Sequence, residues 1–328
     1  MPRPLGAELR CHQSNMHDLI TVTLLLTTIA AWSHIDVVAA AFSSSQPVST
    51  HKKLDFLTFD LDDTIFPIGP VVAEANEAMI SRLHAFGYTE ADNNEIVAAS
   101  KEIRNELREA GEVLTYTDLR KQSIRREIMR LTNFEHHQVD DSVVEDIFDS
   151  WLSARHASAD KHLFSDCIDA LKEIQQQHPD AIIGAITNGR GNPLFMPSVK
   201  DFFQFCVSGE DEGVFPKRKP DKGIYDAAIE SFYNLSDDES LRENLNWIHV
   251  GDDLANDVGA AAVSGAKSIW LSAEEEDSEL PSWSTATKEE MEKRKQLNDS
   301  ALEHVSAKIS SLNELEAAVM DILSATDS

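Results

Sequence analysis

The chain has 328 residues with 29 Lys+Arg against 57 Asp+Glu, a formal net charge of −28, and 42% of its residues are hydrophobic. That apolar fraction, with only 13 Gly and 11 Pro, excludes a collagenous or low-complexity chain and argues against global disorder. So acidic a surface repels phosphate backbones and argues against non-specific nucleic-acid binding, and three scattered cysteines (Cys11, Cys167, Cys206) give neither a disulfide framework nor a zinc site.

Leu19 to Ala31 is an uncharged apolar run preceded by Arg3 and Arg10. It suits the core of a signal peptide better than a membrane span, which needs about 20 apolar residues. Extending it to Val38 would bury Asp36 in the bilayer. Ala39-Ala40-Ala41 offers a cleavage pattern of small residues, and 42–53 is Ser-rich, carries Lys52 and Lys53, and has no acid. The two parts, 1–41 signal-like and 42–53 a short transit-like linker, resemble the bipartite presequences of plastids acquired by secondary endosymbiosis. That implies a plastid location, with the secretory pathway as the alternative. Without residues 1–41 the chain keeps 27 basic and 54 acidic side chains, a charge of −27. No membrane partner is expected once they are removed.

Leu54–Phe59 is a short apolar run ending at acids, and Ala181–Thr187, Trp247–Val250 and Ala266–Leu271 read alike, with Phe205–Ser208 weaker. Helical patterns separate most of them: Ser165–Gln177, Asp221–Tyr233 and Ala255–Ser264. The alternation predicts a parallel, doubly wound α/β sheet. The stretch 71–159 breaks it with four helices and no strand: Val71–Phe86 stopped by Gly87, Glu95–Ala110 stopped by Gly111, Asp118–Leu131 with Thr117 as a possible N-cap, and Ser142–His156. This is a separate domain inserted into a core of 54–70 and 160–272. The charged segment 273–299 reads as a solvated linker or exposed helix, and 300–328 as a closing strand and helix of the core.

Asp60-Leu61-Asp62-Asp63-Thr64 ends the first strand, where open α/β sheets bind ligands. Three carboxylates in four residues repel one another unless a cation or hydrogen bonds offset them; alone, the cluster also fits a solvated acidic turn. The other strand ends bring Thr187-Asn188-Gly189, a basic loop Lys217-Arg218-Lys219-Pro220, and Gly251-Asp252-Asp253-Leu254-Ala255-Asn256-Asp257. Acids, a hydroxyl and amide pair, a lysine and more acids thus converge on one edge.

DLDDT at 60–64, ITNG at 186–189, KP at 219–220 and GDDLAND at 251–257 resemble, in order, the four motifs of the haloacid-dehalogenase-like (HAD) hydrolase superfamily. The resemblance covers the core and implies a Rossmann-like fold, with the helical insertion corresponding to a C1 cap. Asp60 would attack phosphorus to give an aspartyl-phosphate, and Asp62 would protonate the leaving oxygen and then deprotonate water. A hard cation, Mg²⁺, would sit on Asp60, Asp252 and the main-chain carbonyl of Asp62, with Asp253 and Asp257 behind them. Thr187 and the backbone at Asn188 would hold phosphate oxygens, and Lys219 would balance charge, with Lys217 and Arg218 as neighbouring competitors. Relatives that cleave carbon–halogen bonds generally lack an acid two residues after the nucleophile, because halide leaves unprotonated. Asp62 therefore favours phosphoester hydrolysis of a small phosphorylated metabolite.

LTFDLDDTIF, LTYTDLRKQSI, AITNG and IHVGDDLANDVGAA resemble a bacterial branch that hydrolyses FMN and 5-amino-6-(5-phosphoribitylamino)uracil, which implies a role in riboflavin metabolism. A pyrimidine 5′-nucleotidase, a phosphoglycolate phosphatase, a sugar-phosphate phosphatase, a dehalogenase and a non-catalytic scaffold are the alternatives. His136 and His137 are adjacent and read as solvated, Cys167 and Cys206 as core. Tyr116, Arg120 and Trp151 could touch a leaving group, although ordinary helix placement accounts for each.

Overall fold

A computed structural model describes residues 52–133, 135–236, 238–242, 244–272 and 288–325. The presequence 1–41 and the greater part of 42–53 and 273–287 lie outside them. Lys52 and Lys53, the end of the expected linker, already touch the core: Lys52 N donates to Leu323 O at 3.3 Å, and Lys53 meets Asp180 at 3.1 Å.

Six strands form one all-parallel sheet: β1 (Phe56–Phe59), β2 (Ile182–Thr187), β3 (Phe205–Ser208), β4 (Trp247–Gly251), β5 (Lys267–Leu271) and β6 (Val305–Ile309), in the order β3-β2-β1-β4-β5-β6. All four residues of β1 are buried, as a central strand covered on both faces requires. β1 lies at the switch point, with Phe59 opposite Ala185 of β2 and Val250 of β4. Its carboxyl end opens where ligands bind in such sheets.

Helices α1 (Ile68–Ala85), α2 (Asn93–Ala110), α3 (Tyr116–Thr132) and α4 (Asp141–Lys161) occupy the connection from β1 towards α5 (Cys167–Gln177) and β2. They share their own core, with Met79, Leu83, Ile96, Ile124, Ile128, Ile147 and Phe148 at its centre. The first turn of α3 begins earlier than expected. Thr115, not Thr117, is its N-cap, because the Thr115 hydroxyl accepts from Asp118 N at 2.9 Å while Thr117 is already helical. Helix α4 runs five residues past His156, which places Arg155 inside a helix instead of near its frayed end.

Alternation along the strands builds two apolar layers. Leu57 and Phe59 face α5 and the closing helix α9 (Leu315–Ser324), against Leu171, Ile174 and Val319. Phe56 faces the other way, towards α6 (Lys222–Leu235) and the short α7 (Ala260–Val263), its ring 4.7 Å from Phe232 and 5.2 Å from Trp247. The loop after β4 enters α7 through a wide turn, Leu254–Gly259, in which Asp253 O accepts from Asp257 N at 2.8 Å and Val258 N at 3.2 Å. The helix expected over Ala255–Ser264 is therefore present, its first part wound wider than an α-helix.

Part of the charged segment is ordered as α8 (Lys288–Ala301), and it does more than face solvent. Asn298 Oδ1 accepts from Ala255 N at 3.0 Å, Arg294 pairs with Asp253, and Ala301 is buried near Gly259. Among the described residues no helix is long and apolar enough to cross a membrane.

Candidate active site

The chain leaves β1 at Asp60, whose N–H still donates to Val250 O at 2.8 Å, and then turns sharply. Asp63 takes a left-handed φ of 62°, and its N–H returns to Phe66 O at 2.8 Å. The turn folds Thr64 back under the strand end, where its hydroxyl lies 3.4 Å from Asp60 Oδ2 and 3.3 Å from Asp252 Oδ1. The end of β4 therefore meets the end of β1 through one threonine.

Carboxylate oxygens of Asp60, Asp252 and Asp257 lie within 4.8 Å of one another. Lys219 is buried between two of them, donating to Asp60 Oδ1 and, at 2.7 Å, to Asp257 Oδ1. Burial, helped by Asp257 and Asp62, pushes Asp60 well above the usual carboxylate range despite Lys219. Asp252 rises for the same first reason, with Asp257 and Asp60 adding repulsion. Burial also pushes Asp257 up, but Lys219 and His249 outweigh it and bring it down to about 2. Lys219 itself, disfavoured as a cation by burial, is held well above its ordinary value by Asp257 and Asp60.

A buried polar chain runs beneath Asp257 and stops short of a hydrogen bond to it. Trp247 Nε1 donates to Thr58 Oγ1 at 2.8 Å, and the Thr58 hydroxyl faces His249 Nδ1 at 2.8 Å. With the threonine proton on Nδ1, the neutral ring carries its own on Nε2, 3.5 Å from Asp257 Oδ1. Burial lowers the His249 pKa and keeps the ring neutral. Gly251 is required here: a Cβ on it would lie 2.4 Å from Asp257 Cβ and Cγ.

With all three carboxylates ionised, one ammonium would leave two negative charges in a buried site, and in the absence of a cation that repulsion adds to burial in raising Asp60 and Asp252. A donor set made only of oxygens, with that residual charge, fits a hard divalent cation such as Mg²⁺. Asp257, expected behind the metal ligands, has its carboxylate in this group. The Asp62 side chain does not: its Oδ1 accepts from Arg155 Nη2 of α4 at 2.6 Å. Asp253 also turns away, capping Ala255 N at 3.0 Å and Asn256 N at 3.1 Å while it pairs with Arg294.

Thr187 is buried at the end of β2, its hydroxyl accepting from Gly189 N at 3.3 Å, and Asn188 Nδ2 fixes the basic loop by donating to Lys219 O at 3.0 Å. Of the three basic residues in that loop only Lys219 reaches the carboxylates. Lys217 is exposed, and the Arg218 guanidinium lies 4.4 Å over the Tyr116 ring. His136 and His137 are exposed, and burial pushes the thiols of Cys167 and Cys206 up to about 12, so neither is a thiolate nucleophile.

Arg155 and Arg294 escape a reading by motif, and Thr64 and His249, although inside the quoted motif stretches, receive no role from them. Arg155 alone leaves a usable trace. It follows Val144, Ile147, Phe148 and Trp151 on the inward stripe of α4, and an arginine on an apolar stripe needs a buried partner.

The chain is 27% identical over 241 residues to the 5-amino-6-(5-phospho-D-ribitylamino)uracil phosphatase YigB of Escherichia coli K12, spanning 69% of this chain and 86% of that one. It is 26% identical over 152 residues to an uncharacterized protein of Saccharomyces cerevisiae, spanning 42% and 46%. A 2-haloacid dehalogenase from Pseudomonas syringae pv. tomato superposes with a TM-score of 0.57 at 18% identity, over 81% of this chain and 98% of that one, a likeness of fold. The haloacid dehalogenase-like hydrolase family model matches residues 54–265, and the chain belongs to that family of hydrolases.

Proposed function

We propose that the chain is a Mg²⁺-dependent phosphomonoester hydrolase acting through an aspartyl-phosphate on Asp60. The observation that carries this reading is the second carboxylate: Asp62 lies two residues beyond Asp60, outside the three-carboxylate cluster, and Arg155 holds it at 2.6 Å. Once Asp60 is esterified it cannot shuttle protons, so a separate acid is needed to protonate an alkoxide, whereas a halide needs none.

Asp60 and Asp252, with the main-chain carbonyl of Asp62, would hold the cation, which screens the charge between phosphate and nucleophile. Lys219 orients Asp60 and neutralises part of the anion. Thr187 and the backbone at Asn188 receive phosphate oxygens. Asp62 gives its proton to the leaving oxygen and then takes one from the attacking water. Asp257 keeps Lys219 charged and in place.

The Escherichia coli relative favours 5-amino-6-(5-phosphoribitylamino)uracil as substrate. The presequence extends the reading to plastid import, which a fluorescent fusion of residues 1–53 would test by its location. The primary test is phosphate release by the purified chain from p-nitrophenyl phosphate and the ribitylaminouracil phosphate, with Mg²⁺ and with chelator. Release that needs both Mg²⁺ and Asp60, and is lost in Asp60→Asn, supports the reading. Equal background from both proteins would reject it.

A further inference from the structure

Three arginines line one cavity in a chain of net charge −28. Arg104 and Arg108, four residues apart on α2, share a face of that helix. Gly111, in the left-handed region at φ 71°, ends α2 and turns the chain towards α3. The cavity, about 210 Å³, opens between this turn and the core, where Arg218 completes the set. The Arg218 guanidinium is held 4.4 Å over the Tyr116 ring, and its buried Nη1 has no hydrogen-bond partner among the described residues. Native proteins leave few such atoms, because a buried donor without an acceptor costs free energy.

Charge decides what such a cavity takes. Glu112 is the one acid among the described residues that line it, so the three guanidinium groups leave an excess of two positive charges. The other carboxylates of the chain repel anions, but beyond about 10 Å they are screened at roughly 0.1 M salt, while charges lining the cavity act directly. The C-terminus of α2 and the N-terminus of α3 both border it, and their opposed dipoles largely cancel. The guanidinium forks therefore dominate, and they match the paired oxygens of a carboxylate or phosphate. Leu107, Leu114 and Leu119 add an apolar wall beside the Tyr116 ring. The volume lies below the roughly 300–1,000 Å³ of drug-sized pockets and admits a body of about one ring.

We propose that Arg104, Arg108 and Arg218 form a second anion site, for a small organic oxyanion that carries a phosphoryl or carboxyl group on one flat apolar body. None of Asp60, Lys219, Asp252 and Asp257 lines this cavity, so its ligand is an effector and not the ester being hydrolysed. Two of the arginines belong to the cap, and the third directly precedes Lys219 in the core. A bound anion bridging them ties the cap to the loop that carries Lys219. The site does not depend on the phosphatase reading, because it needs neither the cation nor turnover.

The test uses the full chain in chelator, where the metal-free carboxylate cluster repels anions and suppresses binding at the strand ends. Phenylphosphonate, a dianion on one ring with no ester bond, and benzoate are the probes, with inorganic phosphate as the anion lacking a body. At ten times its Kd the tighter probe should raise Tm by about 2–4 °C. It should slow amide exchange in peptides spanning 104–119 and 209–218 and leave 60–64 and 187–189 unchanged. The Arg104→Gln, Arg108→Gln double variant should bind it about tenfold or more weakly. Glu112→Gln should bind it roughly two- to fivefold more tightly, a gain that misfolding cannot imitate. Inorganic phosphate should bind about threefold or more weakly, having no ring to bury. Preference for phenylphosphonate assigns the effector a phosphoryl group, and preference for benzoate a carboxyl group. Protection confined to the strand ends, binding that survives in the double variant, or no Tm shift with either probe would overturn the site.

Discussion

Arg155 Nη2 stands 2.6 Å from Asp62 Oδ1, joining the last cap helix to the first loop of the core. Asp62 is half-buried, so without this contact its carboxylate would choose among solvated rotamers. Helix α4 locks the arginine in place, the rest of its guanidinium lying against Gly191. Arg155 is therefore a positioning residue for the proposed acid, and its contact exists only when cap and core are together.

Arg155→Ala is expected to lower kcat by roughly 10- to 100-fold, the loss of one charge-assisted hydrogen bond worth about 1.5–3 kcal/mol. Arg155→Lys should recover part of it, because lysine restores the charge without the planar fork. Steady-state kinetics decide. A fall confined to KM would assign Arg155 to substrate binding instead.

Helix α8 holds the loop after Asp252 from behind, through Arg294 on Asp253 and Asn298 on Ala255 N. Arg294→Ala should raise the Mg²⁺ concentration for half-maximal activity by about three- to tenfold, less than the roughly 10- to 100-fold typical of partners bonded to a ligand itself, because Arg294 is half-exposed. An unchanged Mg²⁺ dependence would reduce the helix to a surface element.

The sheet was legible because its strands are apolar runs ending at polar clusters, and parallel strands buried on both faces must read that way. Asp60 and Asp252 were legible as neighbours because each directly follows a strand end, whereas Lys219 was singled out from its basic loop only by the resemblance of Lys219-Pro220 to a family motif. Arg155 was legible only as a charge on the apolar stripe of α4, and nothing local names Asp62 as its partner. The pairing of Arg294 with Asp253 was hidden for a related reason. Their 41-residue separation includes a charged stretch that reads as solvent-facing. The N-cap of α3 slipped because Thr115 and Thr117 are equally good caps on paper, and only the Asp118 N–H direction chooses between them.

Glu316 of α9 and His178 after α5 give a pH signature away from the site. Burial, with Glu173 adding repulsion, raises Glu316 to about 7, and its Oε2 lies 3.2 Å from His178 Nε2. A folded-state pKa above the unfolded value makes this group's contribution largest below about pH 4.5 and lost as pH rises through about 7. Glu316→Gln should therefore raise Tm at pH 8, by roughly 1–2 °C after allowance for solvent screening, and much less at pH 5. Thermal melts at the two pH values check it. An equal shift at both would point to packing.

The three-carboxylate cluster gives a readout without turnover. Mg²⁺ should raise Tm, about 2.7 kcal/mol being available at 100 times its Kd. Asp252→Asn should abolish that rise while stabilising the metal-free protein, because it removes a buried carboxylate repelled by Asp257 and Asp60. A Mg²⁺-induced rise that survives in Asp252→Asn would place the cation elsewhere.

The most direct measurement is mass spectrometry of the acid-quenched Asp62→Ala chain after mixing with Mg²⁺ and p-nitrophenyl phosphate, whose nitrophenolate leaves without an acid. Without the acid that activates water, one phosphoryl group should accumulate on the peptide containing Asp60 and be absent from the Asp60→Asn, Asp62→Ala double variant. Phosphate release with no phosphorylated Asp60 peptide at any quench time, or a phosphoryl group found on another residue, would contradict nucleophilic attack by Asp60.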